Sequence, residues 1–203
     1  FRSGTAAFVL ENTNKGYGYQ ANVTVNMRPI EGLNLMAAYT NQMSKEITDM
    51  PGSNAESAFT YVPTVNGPNN IGLHNAANVT PHRVIASATY SDRANNHFSL
   101  IYESWKGGYN YSYMLTNDMN GDGNPADLMY IPKDENDIIF AGTPEQRAKD
   151  AADFWAFVEQ DKYLSSHKGE YAEAYSATAP LVHRFDFRFT QDIKFKIGST
   201  YHK

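Results

Sequence analysis

His183–Ile197 reads HRFDFRFTQDIKFKI, and its alternation decides the fold. Odd positions carry Phe185, Phe187, Phe189, Ile193, Phe195 and Ile197, broken only by Gln191. Even positions carry Arg184, Asp186, Arg188, Thr190, Asp192, Lys194 and Lys196. Successive strand side chains point to opposite faces, so this period of two makes a strand with one apolar and one charged face. A strand of this kind is expected over 181–197. A soluble sheet would turn the charged face to water. A membrane barrel would turn the Phe and Ile face to lipid and the charged face to a watery lumen.

The same pattern recurs upstream. Tyr19, Ala21, Val23, Val25 and Met27 alternate with Gln20, Asn22, Thr24, Asn26 and Arg28. Leu33, Leu35, Ala37 and Tyr39 follow a short turn over Pro29–Gly32, and the pair reads as an antiparallel hairpin. Val84, Ala86, Ala88 and Tyr90 form a further apolar face, with Ile85 as the exception on the other side. After a polar turn at Arg93–Asn96, Phe98, Leu100 and Tyr102 repeat it. Strands are expected near 17–28, 33–46, 81–92, 97–112 and 181–197. At about ten residues or more they exceed the usual 5–6 of globular strands and suit the roughly 9–11 that cross a bilayer at a tilt.

Connection lengths separate the two readings. The turns at Pro29–Gly32 and Arg93–Asn96 are short, whereas Ser44–Thr80 and Gly107–Leu181 are long. Strict alternation of short and long puts both long connections at one end of the sheet, as in outer-membrane barrels with long extracellular loops. The expected fold class is therefore all-β: part of one transmembrane up-and-down antiparallel barrel domain, with a short α-helix in one loop. Known barrels need eight or more strands, so five strands are expected to be part of a larger folding unit.

Composition agrees with a folded chain of this class. Across 203 residues, 41% hydrophobic content is too high for disorder. Seventeen Lys and Arg against 22 Asp and Glu give a net charge of −5, which disfavours a nucleic-acid partner. The absence of cysteine removes disulfides, thiolate metal sites and cysteine nucleophiles together. No apolar run is long enough for a membrane helix. The six histidines are scattered without HExxH spacing, and neither a GxSxG nor a phosphate-binding glycine loop occurs. Catalytic residues are therefore not assigned, and Asp134, Glu135 and Asp137 read as a solvated acidic turn.

The long loops carry three further signals. Thr143-Pro144-Glu145-Gln146 is a helix start, with Thr143 as N-cap, Pro144 at the first position and Gln146 closing a capping box. A helix is expected over about 144–160, with Ala148, Ala151, Ala152, Trp155 and Val158 along one face and Phe154 and Phe157 flanking it. Asp118–Asn124, DMNGDGN, matches the first half of a calcium loop, with Asp118, Asn120, Asp122 and Asp127 as oxygen ligands. The match fails at its twelfth position, Met129, and an Asx-rich turn without metal is the competing reading. Tyrosine numbers 14. Tyr17, Tyr19, Tyr39, Tyr90, Tyr102, Tyr109 and Tyr111 fall near strand ends, where interface girdles form. Tyr61, Trp155, Tyr163, Tyr171 and Tyr175 are candidate loop contacts for a ligand.

Three strings then suggest a family. Asp118–Pro132 (DMNGDGNPADLMYIP), Phe157–Glu173 (FVEQDKYLSSHKGEYAE) and Ala179–Asp192 (APLVHRFDFRFTQD) resemble, in that order, the C-terminal barrel region of Bacteroidetes TonB-dependent outer-membrane receptors. The Oar-like subgroup is the nearest, and Gly16–Thr40 fits its barrel hairpins. The resemblance covers nearly the whole chain. It implies a 22-stranded barrel that imports a nutrient substrate with energy delivered through TonB. The plug, the TonB box and the N-terminal domain of that family have no counterpart here. The implied partners are the remaining strands and plug, the TonB system through that plug, and outer-membrane lipid. A soluble or surface-exposed β-rich binding or adhesion module is the alternative.

Overall fold

The computed structural model describes residues 7–48, 52–77, 79–108, 111–115, 117–198 and 200–202. Its strands are β1 (Tyr17–Ile30), β2 (Leu33–Glu46), β3 (His74–Asn75), β4 (His82–Ser91), β5 (Asn96–Lys106), β6 (Tyr130–Ile131), β7 (Glu170–Tyr171), β8 (Leu181–Gln191), β9 (Phe195–Ile197) and β10 (Thr200–His202). Its helices are α1 (Ala55–Tyr61), α2 (Pro144–Gln160) and α3 (Lys162–Ser166). The fold is thus mostly antiparallel β-sheet with a few short helices. Among the described residues, no helix is long and apolar enough to cross a membrane. The chain divides into two compact units, residues 19–43, 79–108 and 179–203 forming one, and 1–18, 44–78 and 109–178 the other.

The first unit is a sheet. Its long strands run in the order β1-β2-β4-β5-β8; β3 pairs Lys45 and Glu46 at the end of β2, which fall in the other unit. Register keeps the alternation of each strand in phase with the next. Leu35 faces Ala88, Ala88 faces Leu100 and Leu100 faces Phe187. One strand position away, Met36, Ser87, Ile101 and Asp186 align in the same manner. A slip by one residue would move every side chain to the other face, so this agreement across four strands fixes the faces together. The β1–β2 connection is tighter than expected, reduced to Glu31 and Gly32 because β1 extends to Ile30. Gly32 has φ +82°, and a Cβ there would meet the Ser91 carbonyl oxygen at 2.3 Å, so glycine is required twice over. Both long connections, 47–81 and 107–180, leave and re-enter at the end opposite this turn.

Two expected boundaries need correction. The strand expected over 97–112 stops at Lys106, where Gly107 packs so close to Ala179 that a Cβ would lie 2.4 Å from its Cβ. The strand expected over 181–197 stops at Gln191. Its partner β5 begins at Asn96, opposite Gln191, so no neighbour remains to extend the ladder. The Asp192 N–H bonds instead to the Asn95 carbonyl at 3.0 Å. Phe195–Ile197 then pairs with Thr200–His202 as a separate small hairpin. The alternation of the sequence runs through this break because pattern alone does not register the loss of a partner strand.

The second unit holds nearly all the buried apolar side chains. Ile131, Val158, Leu164 and Ala172 form one cluster, flanked by Tyr113, Met129, Phe154, Trp155 and Tyr163. Leu128, Ala174 and Tyr175 form another. Fully burying an aliphatic side chain contributes about 1.5–3 kcal/mol, so α2, α3, β6 and β7 are held by a core of their own. By contrast, Val79 and Pro81 are the buried apolar side chains described in the sheet unit.

Candidate functional site

The sheet unit presents two chemically distinct faces. Leu33, Leu35, Ala37 and Tyr39 share one with Val84, Ala86, Ala88 and Tyr90, then with Phe98, Leu100 and Tyr102, then with Phe185, Phe187 and Phe189. This face stays open: Phe185 and Phe187 are 68% and 69% exposed. Aromatic rings concentrate toward its two ends. Tyr90, Phe98 and Phe189 meet near the short turns, with centroid distances of 6.4 and 5.0 Å. Tyr39 and Tyr102 lie toward the long connections, against His82 and His183.

The opposite face is charged. Glu103 on β5 accepts from Arg83 on β4 and pairs with Arg184 on β8 at 3.5 Å. Arg184 also donates from Nε to Asp186 at 3.0 Å. Ser99 faces Arg188, so the stripe Arg184, Asp186, Arg188 lies on this side and Phe185, Phe187, Phe189 on the other. The face division expected for β8 is therefore present as far as Gln191. Ile193 and Lys194 fall between β8 and β9, and Phe195 belongs to β9, so the β8 register does not extend to them. The side chain of Lys196 and the whole of Tyr109 lie outside the described residues.

In the other unit, the Asp118–Asp127 segment is a hydrogen-bonded turn. Asp118 Oδ1 accepts from the N–H groups of Gly121 and Asp122 at 2.7 and 3.1 Å, and its Oδ2 from Gly123 at 2.9 Å. Asn120 Oδ1 accepts from Asp122 N–H, and Asp122 Oδ1 from Asn124 N–H. Asp127, 4% exposed, accepts from the N–H groups of Met119 and Asn120 and from the Asn120 amide. The four expected calcium ligands are thus brought into one turn, but their oxygens serve different N–H donors. Among the described residues no group of three acidic or histidine side chains is placed to hold a metal. The Asx turn accounts for the segment without calcium.

Helix α2 spans Pro144–Gln160, as the capping signal predicts, and Thr143 Oγ1 accepts from Gln146 N–H at 3.3 Å. The capping box is not closed: the Gln146 amide turns down the helix to Asp150, at 2.7 Å. Ala151, Trp155 and Val158 face inward, whereas Ala148 and Ala152 are exposed, so the buried stripe is narrower than expected. Glu145, in the first turn, is held below the usual carboxylate range by its own backbone N–H and then by Thr143.

Of the loop aromatics, Tyr61 and Tyr171 are exposed. Trp155 packs on the core, with the Lys168 ammonium 5.3 Å from its ring centroid. Tyr163 stacks with Tyr113 at 5.6 Å and with His167 at 4.1 Å, and Tyr175 is buried. These three serve packing. The sequence reading missed α1, whose N-cap Asn54 accepts from Ser57 N–H at 2.9 Å. It also missed Asp161, which caps α3 and anchors Tyr113; an Asp just before Lys-Tyr-Leu is the signal that could have found it. A cleft of about 400 Å³ in this unit is lined by Phe8, Leu10, Ile47, Ala58, Phe59 and Ile71.

The chain matches no family model, no curated protein and no solved structure.

Proposed function

We propose that this chain is a wall segment of a transmembrane β-barrel, from the C-terminal barrel of a TonB-dependent outer-membrane receptor that takes up a nutrient substrate. The observation that carries the reading is the sheet with one continuous apolar face that nothing in its own unit buries. In water such a face would be an aggregation surface. In a bilayer it is the lipid contact. Strands of 10 and 11 residues, at about 3.3 Å per residue and a tilt of about 40°, rise about 25–28 Å, close to the apolar band of outer-membrane barrels.

In this reading Phe185, Phe187 and Phe189 face lipid. Arg184, Asp186 and Arg188 face the lumen. The long connections are extracellular. The open edges of β1 and β8 pair with the remaining strands of the receptor, and TonB acts through the plug. The segment has no catalytic role.

The test is fractionation of the complete gene product from its own cells. The reading expects outer-membrane recovery and a need for detergent. Recovery as a soluble, monodisperse protein overturns it. That outcome favours the alternative, a surface binding module, for which the separate core around Ile131 and Val158 is the supporting observation.

A further inference from the structure

One pairing occurs twice on the apolar face. Tyr39 Oη lies 2.8 Å from His82 Nδ1 across β2 and β4, and Tyr102 Oη lies 2.8 Å from His183 Nδ1 across β5 and β8. The rings are nearly parallel in both, at 18° and 19°, with centroids 6.2 and 6.0 Å apart. The register is also the same. Tyr39 faces Val84, and His82 is two residues before it. Tyr102 faces Phe185, and His183 is two residues before that. Both pairs are diagonal neighbours on one face, toward the long connections.

The arrangement leaves donors free. With the phenol donating to Nδ1, each imidazole carries its proton on Nε2. Neither Nε2 has a partner among the described residues. Lys106 joins them: Arg83 pairs with Trp105, which sets His82 beside Lys106 at the next position, and Lys106 pairs with Leu181. Its ammonium is likewise without a partner among the described residues. Asn41, Met43 and Lys45 of β2, Ser104 of β5 and Leu181 of β8 share this parity at this end, and none of them is a carboxylate.

We infer that the Tyr39–His82 and Tyr102–His183 pairs, with Lys106, form a band that binds the headgroup phosphate of an anionic lipid in the leaflet beside the long connections. The inference rests on the barrel reading. The chemistry selects the occupant. Leu100, Phe185 and Phe187 offer hydrocarbon to acyl chains, and the donors at the rim match phosphate oxygens. The tyrosines position the imidazoles by holding Nδ1.

The test uses the complete receptor in nanodiscs of mixed phosphatidylglycerol and phosphatidylcholine, with bound lipid counted by native mass spectrometry. The expected result is preferential retention of phosphatidylglycerol. In the triple variant His82→Leu, His183→Leu, Lys106→Gln the preference falls about tenfold, with phosphatidylcholine retention unchanged. Tyr39→Phe with Tyr102→Phe is the milder control for assembly, expected to lower the preference about threefold. Equal retention of both lipids by the native protein overturns the inference, as does a triple variant that keeps the native preference. Inorganic phosphate alone is a second arm, and release of the lipid by free phosphate at equal concentration overturns the lipid assignment. A native protein that does not enter the nanodiscs and stays soluble overturns the barrel reading, and the inference with it.

Discussion

Tyr113 donates its hydroxyl to Asp161 Oδ2 at 2.6 Å, and the other oxygen of that carboxylate caps helix α3. Burial alone would raise the Asp161 carboxyl, but bonds from Tyr113 and from the Leu164 and Tyr163 N–H groups outweigh it and hold it below its ordinary value. Tyr113 is pushed the other way, first by burial and then by its bond to Asp161. A depressed carboxylate stabilises above its unfolded value and loses that contribution as pH falls. The α2–α3 region should therefore weaken in acid, below about pH 4. Asp161→Asn should remove most of that pH dependence and cost about 1–2 kcal/mol through the lost cap. Acid titration of both proteins, followed by amide exchange in α3, checks this.

Thr143→Ala should weaken α2 by about 1 kcal/mol through loss of its N-cap acceptor. Gln146→Ala should cost less than a closed capping box would imply, because Gln146 bonds to Asp150 and not to the cap. Amide protection along the first turn of α2, compared across the two variants, measures both.

Asp127→Ala should destabilise the 118–127 turn by about 1 kcal/mol, since the Met119 and Asn120 N–H groups lose their carboxylate acceptor, and both residues are exposed enough for water to replace it in part. A chelator should leave the melting temperature of the native protein unchanged. A chelator-induced drop restored by calcium would reinstate the metal reading.

Phe187→Arg should impair membrane assembly, at a cost of about 2–4 kcal/mol for a cation at the bilayer midplane. Ser99→Arg, on the opposite face of the neighbouring strand, should be far milder. Folding into lipid vesicles, titrated with denaturant, distinguishes them. Equal costs would mean that the two faces are not lipid and lumen.

Glu103→Gln should leave Arg83 and Arg184 facing each other without their shared carboxylate. Both arginines are half-exposed, so screening keeps the loss to about 1 kcal/mol, and it should shrink in high salt. Unfolding midpoints at two ionic strengths report it.

How much the amino-acid order determined differs from element to element. Strand β2 and helix α2 stand within the residues expected, because a period of two and a Thr-Pro cap are local signals that need no partner. The two faces of β8 were also legible, since parity is a property of the chain itself. The ends of β5 and β8 were not. A strand ends where its neighbour ends, and the loss of a partner beyond Asn96 is a fact of pairing between residues 95 positions apart. The Asp118–Asp127 turn shows the same divide. Its composition suits calcium and an Asx turn equally, and only the folded backbone shows the N–H groups already occupying those oxygens. The Tyr–His pairs lie wholly on the tertiary side. Tyr102 and His183 are 81 residues apart, and a diagonal contact exists only once the register between their strands is set.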